Sequence, residues 1–273
     1  MPKKVGKGYM AAQRILCFLL LSSLTACTSP GPSLPSTPAT SPIGIVMMHG
    51  KGGPPRSVGN VKAALEQHGY LVATPEMCWS DRRMYDRLYP ECVTEIDAAV
   101  TALRQRGARS IVVAGHSMGG TAAIAYGASH DGLAGVIGFA AADAYYGPLA
   151  QLPDIARAQS LVRDGKGDIL GEFGDIRPSG RFPMRTTASH FLSFMTPPGT
   201  DMMPANAARL RAPLLLIPGT RDPSTLQYEA QAYPKAPNYA LNRFVRVNAD
   251  HGGTLDAGMT SVLDWLASIA RGS

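Results

Sequence analysis

The chain has 273 residues, of which 45% are hydrophobic and 17% charged, which excludes a disordered chain and suits one α/β domain behind a leader. Its net charge of +6 does not mark a nucleic-acid binder. Lys3, Lys4, Lys7 and Arg14 are concentrated in an N-terminal stretch without acids. The other 22 basic residues nearly balance 20 acidic ones and form no stripe interleaved with aromatics.

The leader comes first. Its basic residues precede the apolar run Ile15-Leu16-Cys17-Phe18-Leu19-Leu20-Leu21, which is too short to span a bilayer comfortably, and small and polar residues follow. The tetrad Leu24-Thr25-Ala26-Cys27 resembles the lipobox of bacterial lipoproteins. That resemblance implies that residues 1–27 hold a signal peptide, and that Cys27 is lipidated and becomes the mature N-terminus. An ordinary cleaved signal peptide is the alternative. Thr28 stands where enteric lipoproteins retained at the inner membrane carry aspartate, so the expectation is an exported protein held by its N-terminal lipid at the outer membrane, facing the periplasm. Residues 28–42 are rich in Pro, Ser and Thr and read as a semi-extended linker.

From residue 43 to 273 short apolar runs alternate with helical patterns. Strands are expected at 43–48, 70–74, 110–114, 133–140, 213–217 and 242–247, and helices at 58–68, 91–106, 117–129 and 254–269. Continuous apolar strands separated by helices imply a three-layer α/β/α sandwich around a mainly parallel sheet of about six strands. The stretch 143–210 is too long for a plain crossover between the fourth and fifth strands. It reads as a cap over the carboxyl ends of the strands, the alternative being a peripheral decoration. Its Phe182, Met184, Phe191, Phe194, Met195, Met202 and Met203 are expected to form an apolar acyl pocket.

Cys78 and Cys92 are the two cysteines left in the domain, and in an exported protein they are expected to form a disulfide. Two free buried thiols are the alternative. The segment between them carries Arg82, Arg83, Asp86 and Arg87 and is expected to bury little apolar surface, so that a covalent clasp offsets the deficit.

Gly115-His116-Ser117-Met118-Gly119 matches G-x-S-x-G. It follows an apolar strand and opens a helix of small residues, the strand–turn–helix context of a nucleophile elbow, which makes Ser117 the candidate nucleophile. His251 follows the last strand and is the candidate general base. Asp222, after the preceding strand in Gly219-Thr220-Arg221-Asp222, is the candidate orienter of that base, with Asp143 as the alternative. An oxyanion site needs backbone N–H groups, and Met118 and Lys51, the latter in His49-Gly50-Lys51-Gly52-Gly53, are the candidates.

Those motifs, with Asp250-His251-Gly252-Gly253, resemble the α/β-hydrolase superfamily over about residues 43–270, among its esterase, lipase and dienelactone-hydrolase-like members. The resemblance implies a Ser-His-Asp serine hydrolase that cleaves small-molecule carboxylic esters through an acyl-enzyme. No metal-ligand spacing or phosphate-binding glycine loop is present, so neither a metal nor a cofactor is expected. A peptidase or an acyltransferase would use the same three residues. A non-catalytic binding lipoprotein on the same scaffold is the reading from a different class.

Overall fold

The computed structural model describes residues 42–143, 153–177, 180–196 and 202–272. The leader, Cys27, the linker and parts of the expected cap lie outside them.

Six strands form one sheet in the order β2-β1-β3-β4-β7-β8. They are β1 (Ile43–Met48), β2 (Leu71–Ala73), β3 (Ser110–His116), β4 (Gly135–Phe139), β7 (Leu214–Ile217) and β8 (Arg243–Phe244). Every pairing is parallel. The last strand is shorter than its apolar pattern suggests. Beyond Phe244 it continues only as an isolated bridge between Gly219 and Val247.

The sheet is buried on both faces, and its side chains divide by strand periodicity. Val46, Met48, Ile111, Val113, Leu214 and Leu216 face one core. Ile45, Met47, Val112, Ala114, Leu215 and Ile217 face the other. The second core is closed by Val61 and Leu65 of α1 (Gly59–Gln67) and by Val262, Trp265, Leu266 and Ile269 of α10 (Met259–Gly272). The first is closed by α3 (Ile96–Gln105), α4 (Met118–Ser129) and α8 (Pro223–Ala232). The expected helix 91–106 is two pieces, α2 (Tyr89–Thr94) and α3, meeting at Glu95, whose carboxylate accepts from Arg83 at 2.7 Å. The closing helix likewise divides at Gly258, into α9 (Thr254–Ala257) and α10.

Between β4 and β7 the chain leaves the sheet. It forms α5 (Pro153–Arg163), an antiparallel hairpin of β5 (Leu170–Arg177) and β6 (Gly180–Thr187), α6 (Ala188–Met195) and α7 (Met203–Ala207). The hairpin was not expected from the sequence. One face of it buries Phe173, Asp175, Met184 and Thr186, while Arg181, Pro183 and Arg185 stay exposed. Phe191, Phe194, Met195 and Met203 are fully or almost fully buried in the first core.

Cys78 and Cys92 are disulfide-bonded with Cα atoms 5.8 Å apart, and both are buried. The loop they close contradicts its sequence reading. Trp79 and Tyr85 are each 1% exposed, and Tyr85 stacks on Phe194 of α6 at 4.0 Å between ring centroids. A fully buried aromatic of this size contributes roughly 2–3 kcal/mol, so the loop has a core of its own besides the clasp. Its charges are carried on the rim, where Arg83 bridges Asp86 and Glu95.

Candidate active site

β3 ends at His116 and α4 begins at Met118, so Ser117 alone makes the turn between them. Its φ is 55° and its ψ −122°, a conformation that costs a side-chain-bearing residue about 1–3 kcal/mol. The surroundings hold it there. Ser117 N–H donates to the Phe139 carbonyl at 2.8 Å, and the Ser117 carbonyl accepts from Gly120 N–H at 2.9 Å. The flanking glycines are required by close approach. A Cβ on Gly115 would stand 2.2 Å from the Gly119 carbonyl carbon, and one on Gly119 would stand 2.7 Å from the Met48 and His49 carbonyl oxygens.

His251 lies in the loop after β8, and Asp222 is the N-cap of α8 just after β7. The two loops are brought together by the β7–β8 pairing and by the Arg221 N–H bond to the Ala249 carbonyl, 3.0 Å. His251 Nδ1 and Asp222 Oδ2 are 2.6 Å apart. A carboxylate there fixes the tautomer: Nδ1 carries the proton and donates, leaving Nε2 as acceptor. Burial pushes the Asp222 carboxyl up, but hydrogen bonds from His251 and Thr225 and the histidine's charge outweigh it and hold the group below its ordinary value.

Ser117 and His251 border one cavity of about 240 Å³, together with Gly50, Lys51, Gly53, Ser57 and His116. None of the apolar cap side chains lines it among the described residues. The acyl pocket expected from Phe and Met is therefore not seen there, because those side chains are consumed in packing the insertion onto the first core.

His116 backs this cavity. Its Nε2–H donates to the His251 carbonyl at 2.9 Å, and the two rings lie 4.9 Å apart. Burial, with the nearby His251 charge adding to it, pushes the His116 pKa down to about 4. His116 is thus a neutral strut for the loop that carries His251.

The turn after β1 forms the opposite wall. His49 is fully buried. Its Nε2 accepts from Met77 N–H at 3.1 Å and its Nδ1–H donates to the Gly50 carbonyl at 2.9 Å. Burial lowers its pKa despite that second bond, consistent with the neutral ring the pattern requires. Trp79 donates its indole N–H to the His49 carbonyl at 2.9 Å, and its own carbonyl accepts from Gly52 N–H at 2.7 Å. The disulfide loop therefore shapes the Gly50–Gly53 turn directly. Gly50 is close to the nucleophile: a Cβ there would meet the Ser117 Cβ at 3.3 Å. Met118 is buried at the first position of α4, where its N–H has no partner within the helix.

Asp143, the alternative orienter, has other partners. Its Oδ2 accepts from Met203 N–H at 2.9 Å and from the Tyr228 hydroxyl. Burial pushes its pKa up to about 6. A further buried acid went unnoticed in the sequence. Glu229 of α8 accepts from Ala141 N–H at 2.8 Å, and burial, with the Asp222 charge adding to it, raises its pKa well above the usual range. Its side chain pins the chain beyond β4.

The model of the alpha/beta hydrolase family matches residues 45–262, nearly the whole described domain. The chain belongs to the alpha/beta hydrolase family. Among solved structures, this alpha/beta hydrolase is similar to that of the metagenome-derived lipolytic enzymes LipS and LipT, with 21% identity, a TM-score of 0.60, and coverage of 85% of this chain and 95% of that one. A monoacylglycerol lipase of Paleococcus ferrophilus follows at 19% identity and TM-score 0.62, covering 83% and 94%. A thermostable carboxyl esterase of Bacillus coagulans has 16% identity and TM-score 0.62, covering 86% and 92%. At these identities the likeness is one of fold. No curated protein sequence matches the chain.

Proposed function

We propose that this alpha/beta hydrolase cleaves small, uncharged carboxylic esters through an acyl-enzyme on Ser117. One observation carries the reading: an Asp222–His251 pair at 2.6 Å orients its histidine on the cavity that a strained Ser117 borders. In the proposed reaction Ser117 Oγ attacks the ester carbonyl and passes its proton to His251 Nε2, while Asp222 stabilises the imidazolium. The Lys51 and Met118 N–H groups receive the negative charge that develops on the carbonyl oxygen. Collapse breaks the ester C–O bond, and the departing alcohol takes the proton from His251. Water, deprotonated by the same histidine, then attacks the acyl carbonyl and frees Ser117. A cavity of about 240 Å³ is below the usual range for drug-sized ligands and suits a short acyl group.

The leader supports a second part of this reading, that Cys27 carries lipid and holds the enzyme at the outer membrane with the linker 28–42 as spacer. The test of catalysis is a fluorophosphonate probe on the folded protein, followed by an ester panel of increasing acyl length. Labelling at Ser117 and turnover that declines beyond short acyl chains are expected. An unlabelled, well-folded protein with no turnover would leave a non-catalytic binding lipoprotein.

A further inference from the structure

Lys51 is a cation in the wall of the catalytic cavity. An unopposed ammonium there would attract anionic substrates. It is not unopposed. Its Nζ lies 2.8 Å from Asp175 Oδ1, and the two side chains are 13% and 0% exposed. The other carboxylate oxygen, Oδ2, accepts from the Tyr85 hydroxyl at 2.6 Å. Asp175 lies on β5 of the insertion, Lys51 in the turn after β1, and Tyr85 in the disulfide loop. Three segments remote in sequence thus meet at one buried carboxylate. Burying an ion takes several kcal/mol unless a partner and hydrogen bonds compensate, and a carboxylate so enclosed implies a specific demand for its charge.

We infer that Asp175 is a specificity-determining residue, which cancels the Lys51 charge so that the cavity selects uncharged acyl groups over anionic ones. This rests on the ester-hydrolase reading and deepens it. The insertion supplies a counter-charge behind the cavity wall, at Lys51, and Tyr85 keeps that carboxylate aimed. Removing the negative charge while keeping the shape leaves Lys51 free to receive a substrate carboxylate.

The experiment compares ethyl butanoate with monoethyl succinate, in which a carboxylate replaces a methyl group, at pH 8 and low salt. In Asp175→Asn the kcat/KM for the anionic ester, relative to the neutral one, should rise on the order of tenfold, and added salt should compress the gain. Adding Lys51→Met to that variant should return the ratio to its starting value. A purely structural role for Asp175 would lower both substrates alike. An unchanged ratio in a folded Asp175→Asn protein, or a raised ratio that survives Lys51→Met, overturns the inference. Should Asp175→Asn not fold, Lys51→Met alone serves: the uncompensated Asp175 carboxylate should depress the anionic ester several-fold relative to the neutral one, and an unchanged ratio overturns the inference. Ser117→Ala is the control. Ethyl butanoate turnover absent from the natural protein, or persisting in Ser117→Ala, sinks the Ser117 ester-hydrolase reading itself, whereas Ser117-dependent turnover with an unmoved ratio sinks only the role of Asp175.

Discussion

His116 and His251 face each other across less than 5 Å beside Ser117, with ring centroids 4.9 Å apart. With its pKa pushed down to about 4, His116 stays neutral near neutral pH. The acid limb of kcat/KM against pH should therefore fall with a slope of one above pH 5; a slope of two there would mean that His116 also takes up a proton and is no strut. Ser117→Ala and His251→Ala should each lower kcat by about 10⁴-fold or more while leaving thermal unfolding nearly unchanged. Near-normal turnover in either folded variant would refute the proposed roles. Ser117, His251 and Asp222 could be picked as candidates from the sequence because each follows an apolar strand in a fixed chain order, and the structure brings Asp222, not Asp143, to His251. His116, His49, Glu229 and Asp175 could not. Their roles are set by partners 135, 28, 88 and 124 positions away, at separations no local pattern records.

Among the elements, the hairpin β5–β6 escaped the sequence reading because its buried face includes Asp175 and Thr186, so the apolar alternation that marks a strand is interrupted. The loop 78–92 departs from its sequence pattern for the opposite reason: its rim of arginines masks Trp79, Tyr85 and Tyr89, all buried. Removing its clasp with Cys78→Ser/Cys92→Ser should lower unfolding free energy by about 3 kcal/mol in denaturant titration. The insertion is also held by Asp143, which joins the end of β4 to Met203 and Tyr228. Its pKa rises from 3.8 to about 6 on folding, because burial disfavours the charge. Between those values the folded state keeps a proton that the unfolded chain releases, so this group's stabilising contribution is complete below pH 4 and is lost as pH rises through 6. Relative to Asp143→Asn, which cannot ionise, the natural protein should lose about 2 kcal/mol between pH 4 and 6.5. Equal pH dependence of the two proteins would show that Asp143 titrates normally.

For the whole molecule, replacing Cys27 with Ser should move the enzyme from the membrane to the soluble fraction and abolish fatty-acid labelling; labelling that persists would refute the anchor. β4 and β7 are paired neighbours, with Val136 opposite Leu214 and Phe139 opposite Ile217. Because the two are parallel, the chain leaves the sheet at the carboxyl end of β4 and rejoins it at the amino end of β7, about 10 Å back along the strands and one strand spacing to the side. Strand order is independent of what lies between, but the first core is not: Phe191, Phe194, Met195 and Met203 come from that segment, so any segment exchanged there must bring its own apolar face to the sheet.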